Sequence, residues 1–158
     1  MKESIFDKIS SEWWDKNGPM KMLHAMNETR MLFIKERIIN KYQKLGSLKK
    51  ILENKLILDL GCGGGILSET LAEEGAKILA IDQSKKLINE AKKRAKSKKL
   101  KINYQCQSIE SLKGKKAKFD IILCMEVIEH VKDYRSFIKL AFECLKKDGI
   151  IIFSTINK

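Results

Sequence analysis

The chain has 158 residues, 44% of them hydrophobic, which allows one globular core and leaves little room for two. Its formal charge is +12, yet only Arg30, Arg37, Arg94 and Arg135 are arginines, so 28 of the 32 basic residues are lysines. Lysine is a hydrated point charge and not a bidentate phosphate fork, so this excess reads as solvated helix surface: no sequence-specific nucleic acid is expected as a partner, only weak, salt-sensitive contact with anionic membrane.

The opening stretch, MKESIFDKISSEWWDK, carries acidic residues and no long apolar run, so no leader or membrane span is expected there. Residues 1–45 read as a helical lid segment, followed over 46–158 by a sheet-forming unit. Its strands are short apolar runs: KLILDL (55–60), KILAID (77–82), KINYQC (101–106), FDIILC (119–124) and GIIIFST (149–155). Helical patterns lie between them. Ile66, Leu67 and Leu71 mark one buried stripe, and Ser84 caps a second with Leu87, Ile88, Ala91 and Ala95. Asp133 precedes a third with Phe137, Leu140, Ala141, Cys144 and Leu145. Cys62, Cys106, Cys124 and Cys144 form no CxxC pair and are expected as free, mostly buried thiols in a reducing cytosol.

Strands alternating with helices over short connections imply an α/β, Rossmann-like, doubly wound parallel sheet, with ligands at the carboxyl ends of its strands. The end of the first strand is LDLGCGGGIL, with four glycines between positions 61 and 65. A Walker loop requires Gly-Lys at 66 and 67, and the dinucleotide fingerprint requires glycine at 66; Ile66 and Leu67 exclude both. GxGxG remains, carried by Gly61, Gly63 and Gly65. Such a loop removes Cβ atoms beside a ligand and offers helix-start amides to a carboxylate. Asp82, at the end of the second strand, is placed to accept ribose hydroxyls. Adenosine, a carboxylate and no phosphate describe S-adenosylmethionine.

The combination of DLGCGGGILSETLAEEGA, the acidic IDQS, CMEVIEHV and GIIIFSTINK resembles the ubiquinone-biosynthesis O-methyltransferase family, within the class I S-adenosylmethionine-dependent methyltransferases. WWDKNGPMKMLHAMNETRMLFI adds that family's WWDxxG…LHxxNxxR signature at Trp13, Trp14, Asp15, Gly18, Leu23, His24, Asn27 and Arg30. The resemblance implies O-methylation of a phenolic hydroxyl on a polyprenylated catechol or demethylubiquinol. It further implies that Arg30, Gly61, Asp82 and Met125 contact the cofactor, Arg30 through the methionyl carboxylate and Met125 against adenine. It places the protein in the cytoplasm, peripherally at the inner membrane, beside other ubiquinone-biosynthesis proteins.

Glu126, Glu129 and His130, in EVIEH after the fourth strand, carry the remaining chemistry. A helical turn would put Glu126 on the side of Glu129 and His130. Three readings stand: a divalent-ion site binding both catechol oxygens, His130 as a general base held by Glu129, or surface residues at a helix start. The resemblance implies magnesium. His24, among Met22, Leu23 and Met26, reads as a packed or lid residue.

Ala25 and Glu28 depart from the family's usual arginine and proline. Class I enzymes usually have seven strands, and this sequence supplies five, so the substrate-shaping C-terminal part is expected to be missing and the FSTIN strand to be an open sheet edge. A fragment, a decayed gene product and an obligate oligomer all fit that expectation. The rival functions are a noncatalytic module that binds RNA, membrane or protein through lysine-rich stretches such as KKRAKSKK (92–99), and methylation of another small phenol.

Overall fold

The computed structural model describes residues 5–43, 46–114 and 118–155; the first four residues, the lid boundary at 44–45 and the final residues of the GIIIFSTINK motif lie outside them. The five apolar runs form β1 (Leu56–Leu60), β2 (Lys77–Asp82), β3 (Asn103–Cys106), β4 (Phe119–Met125) and β5 (Leu145–Ser154). All adjacent pairs are parallel, in the order β3-β2-β1-β4-β5. The sheet grows outward from β1 in both directions, which opens a crevice at the carboxyl ends of β1 and β4.

Strand periodicity divides the interior into two layers, because successive side chains point to opposite faces. Ile57, Ile78, Ala80, Ile121 and Leu123 face one core, shared with α2 (Lys21–Tyr42), α3 (Leu48–Glu53), α4 (Ile66–Glu73) and α5 (Lys85–Ser97). Leu58, Leu60, Ile81, Ile122 and Cys124 face the other, covered by α6 (Tyr134–Cys144) and the short 3-10 turn Ile109–Leu112. A third cluster gathers Trp13, Met20, Ile66 and Leu87 beneath the N-terminal segment, where α1 (Ile5–Lys8) and the turn Ser10–Glu12 sit.

Two caps form as the sequence implies. The Ser84 hydroxyl accepts from the Leu87 N–H at 3.1 Å, and the Asp133 carboxylate from the Ser136 N–H at 3.0 Å. The stripe of α5 buries Leu87, Ile88, Ala91 and Ala95 as expected. In α6 Phe137, Ala141 and Cys144 are buried, whereas Leu140 and Leu145 are only half-buried. Leu145 is already the first residue of β5, which therefore starts four positions before the expected Gly149. The register passes from Phe119↔Leu145 to Ile121↔Ile150, so the intervening residues bulge, and a Cβ at Gly149 would meet the Asp120 carbonyl at 2.9 Å.

Tyr42 ties α2 to the sheet, its hydroxyl donating to the Asp120 carbonyl at 2.8 Å. Burial, with Asp120 and Asp148 nearby, pushes that phenol up to about 12. None of the four cysteines is in a disulfide; Cys124 and Cys144 are buried, Cys62 is half-buried, and Cys106 is exposed at the end of an outer strand. Arg94 also departs from the solvated-face reading: its guanidinium donates to both Glu69 oxygens, at 3.0 and 3.2 Å, and lies 4.4 Å over the Trp14 ring. Among the described residues no helix is long and apolar enough to cross a membrane.

Candidate functional site

Gly61, Gly63 and Gly65 all adopt left-handed backbone, with φ of 68°, 54° and 89°. The first two amides of the loop are tied to the neighbouring strand, Gly61 N–H and Cys62 N–H donating to the Ile81 carbonyl at 2.8 and 3.1 Å. Gly63 N–H donates to Asp82 at 3.0 Å and Gly65 N–H to the Cys62 carbonyl at 2.9 Å. The loop's shape is thus set by β2 as much as by its own glycines.

The faces left open by the missing Cβ atoms are filled by the chain itself, where the sequence reading gave them to a ligand. A Cβ on Gly61 would strike Val127, one on Gly63 would come within 2.6 Å of the Trp13 ring, one on Gly64 would strike the same indole, and one on Gly65 would strike the Tyr104 hydroxyl. Trp13, 5% exposed, lies across the loop as a packed lid, and its indole N–H is buried with no partner. The WWD motif supplied Trp13, but no periodicity or charge pattern in the sequence assigns it this position.

Asp82 closes β2 with both carboxylate oxygens turned to the loop region, one accepting from Gly63 N–H and the other from Ser84 N–H at 2.8 Å. Burial raises its pKa, against the lowering effect of these amides. Each oxygen retains a second lone pair for a ligand hydroxyl. Beneath the loop, Ser68 holds the buried Asp59 carboxylate. Burial, helped by Asp59 and Asp82, drives the Cys62 thiol well above its usual range, so it is no nucleophile at neutral pH.

These groups open onto one cleft of about 610 Å³, a size suited to a medium organic ligand. Arg30, Gly61, Gly63, Asp82, Met125, Glu126 and His130 all line it; Gly65 and Glu129 do not. Gly65 instead serves as the N-cap residue of α4. The sequence reading missed Phe6, Met20 and Leu23 on the lid side and Ile109 opposite, all apolar residues whose spacing signals only core packing. His24 is a packed residue as expected, its Nε2 lying 2.9 Å from the Trp13 carbonyl.

The EVIEH segment folds differently from the expected single helical turn. The 3-10 turn covers only Ile128–His130, and Glu126 precedes it with φ of 51°, a left-handed conformation uncommon outside glycine. Glu126 forms an ion pair with Arg30, the two side chains being 12% and 9% exposed. Ser154 donates to its other oxygen at 2.6 Å. The Thr155 hydroxyl donates to Glu129 at 3.4 Å, and His130 meets Phe6 edge-on at 5.6 Å. Among the described residues no three His, Cys, Asp or Glu side chains form a metal-ligating group. With a guanidinium already on Glu126, the trio as arranged does not fit a divalent ion.

A methyltransferase-domain family model matches residues 58–153. A ubiquinone biosynthesis O-methyltransferase from Pelagibacter ubique is 52% identical over 153 residues, covering 97% of this chain and 63% of the relative. A protein of the same name from Coxiella burnetii is 42% identical, covering 97% and 60%. The chain thus spans somewhat over half the length of these curated relatives. Among solved structures, PKMT2 from Rickettsia typhi in complex with AdoHcy superposes with a TM-score of 0.59 at 30% identity, covering 63% of this chain and 20% of that one. An S-adenosylmethionine-dependent methyltransferase from Clostridium acetobutylicum gives 0.57 at 27% identity, covering 80% and 56%. The matched span begins in β1, takes in the glycine loop, Asp82 and the Glu126 corner, and ends in β5, so every strand-end element of the cleft except the lid falls inside it: the chain belongs to the methyltransferase-domain family.

Proposed function

We propose that this chain binds S-adenosylmethionine in the cleft and serves in O-methylation of a phenolic hydroxyl of a polyprenylated catechol or demethylubiquinol during ubiquinone biosynthesis. The observation that carries the reading is the convergence of a buried cation, Arg30, and a strand-end carboxylate, Asp82, on one cleft flanked by the glycine loop. Arg30 suits the methionyl carboxylate, Asp82 the ribose diol and Met125 the adenine face. The names of the 52% and 42% identical relatives supply the acceptor class.

In the transfer, a phenolate oxygen attacks the methyl carbon, the O–C bond forming as the sulfonium S–C bond breaks, and the phenolic proton passes to a base. Residues 1–45 act as the lid in this reading, through Trp13 and Arg30. Its lysine-rich surface supports work in the cytoplasm against an anionic inner-membrane face, beside other enzymes of the pathway. With Glu126 paired to Arg30, Glu126, Glu129 and His130 as arranged do not fit magnesium. Calorimetric titration with S-adenosylmethionine, followed by methyl transfer to a short-chain demethylated quinol with and without chelator, tests the reading. Saturable NAD binding in place of S-adenosylmethionine binding would overturn it.

A further inference from the structure

The ion pair between Arg30 and Glu126 lies inside the cleft lining, not beside it, and its two members arrive from opposite sides: Arg30 from α2, Glu126 from the turn after β4. Glu126 is held there by unusual means. Its backbone is left-handed, its N–H donates to the Ser154 carbonyl at 3.1 Å and reaches the Ser154 hydroxyl at 3.2 Å, and that hydroxyl in turn donates to its carboxylate. A non-glycine residue holds such a conformation when its surroundings over-determine it, which is a mark of functional corners. Arg30 is less fully committed: its Nε is buried without a partner.

We propose that Glu126 is an internal counter-carboxylate that competes with the carboxylate of the methyl donor for Arg30, so that seating the donor and releasing Glu126 are one event. The inference rests on the cofactor reading above. One buried guanidinium cannot hold two nearby carboxylates without their mutual repulsion, which is strong where water is scarce. An arriving α-carboxylate therefore displaces the Glu126 oxygen that Arg30 holds, while Ser154 keeps the other oxygen at the end of β4. The exchange subtracts from donor affinity the cost of releasing Glu126 from Arg30.

The test compares two adenosyl ligands, S-adenosylhomocysteine, which has the α-carboxylate, and methylthioadenosine, which lacks it. Binding of each is measured calorimetrically to the wild-type chain, Glu126→Gln and Glu126→Asp. Aspartate retracts the charge by one methylene, tolerates left-handed backbone and keeps a carboxylate opposite Arg30, so it covers the case in which the neutral variant fails to fold. Competition predicts that both variants bind S-adenosylhomocysteine more tightly, by about fivefold or more in the neutral variant, with methylthioadenosine changed by less than about twofold. Unchanged or weaker S-adenosylhomocysteine binding in the folded variants would overturn the proposal while leaving the cofactor reading intact. If the wild-type chain binds neither ligand, the cofactor reading fails and this one fails with it.

Discussion

The Ser68 hydroxyl donates to the Asp59 carboxylate over 2.5 Å, both residues buried, so the first turn of α4 is fastened to the penultimate residue of β1 directly beneath the glycine loop. Burial, opposed by Ser68 and reinforced by Asp82, pushes Asp59 up to about 6.

The sign of its pH effect follows. A carboxyl whose pKa is higher in the fold than in the unfolded chain burdens the fold when ionised, and that burden is full above about pH 6, shrinks as pH falls and vanishes below about pH 4. Asp59→Asn keeps an acceptor for Ser68 and removes the charge. We expect it to gain on the order of 1–3 kcal/mol over wild type at pH 8, the advantage disappearing near pH 4. Urea melts at the two pH values read this directly, and a variant less stable than wild type at both would contradict the burial account.

Asp82→Ala removes the acceptor of Gly63 N–H and Ser84 N–H as well as the charge offered to a ribose. Loss of charge-assisted hydrogen bonds should weaken S-adenosylmethionine binding by about 1.5–3 kcal/mol. Asp82→Asn retains one acceptor oxygen and should fall between the two. Calorimetric affinities equal to wild type in both variants would remove Asp82 from the site.

Gly64→Ala should drive its new methyl into the Trp13 indole. Overpacking of this kind costs about 1–3 kcal/mol. Because one side chain causes the clash, adding Gly64→Ala to a Trp13→Ala chain should cost far less than adding it to wild type, and a double-mutant cycle on thermal or urea stability measures the difference. Additive effects would mean that backbone strain, not Trp13, makes glycine necessary there.

The centre of the sheet was readable because β1 and β4 are buried on both faces and so appear as unbroken apolar runs, with Asp82 ending the second strand and Met125 the fourth. Gly61, Gly63 and Gly65 declared their left-handed backbone through composition alone. The EVIEH corner was not readable: its helical spacing suggests one turn, but the left-handed Glu126 depends on Ser154 nearly thirty residues away, a tertiary contact with no local signature. The same holds for Arg94, which looks like one more cation in KKRAKSKK until Glu69 and Trp14 are brought beside it by packing.

Arg94→Ala should therefore destabilise the chain by more than the tenths expected of a surface cation, by about 1–2 kcal/mol, because it leaves the buried Glu69 with only Lys98, at 3.6 Å, and uncovers Trp14. Arg94→Lys should recover less than half of that loss, since a point charge cannot reproduce the fork to both Glu69 oxygens. Chemical denaturation of the two variants at low and high salt provides the comparison; full recovery by lysine would reduce the contact to simple charge.

The pairing of β1 with β4 joins Ile57 to Ile121 and Asp59 to Leu123, residues separated by most of the chain's middle section. Closing so long a segment costs entropy before any hydrogen bond offsets it, and parallel pairing of this kind slows folding. β1 with β2 can associate early, leaving the glycine loop tied to Ile81 but with nothing opposite it. Only when β4 docks does the Glu126 corner come to face Arg30, and β5 must follow to supply Ser154. The ligand cleft is accordingly among the last parts of the molecule to exist during folding, and a nascent or partly unfolded chain that retains the glycine loop would still be unable to hold a ligand there.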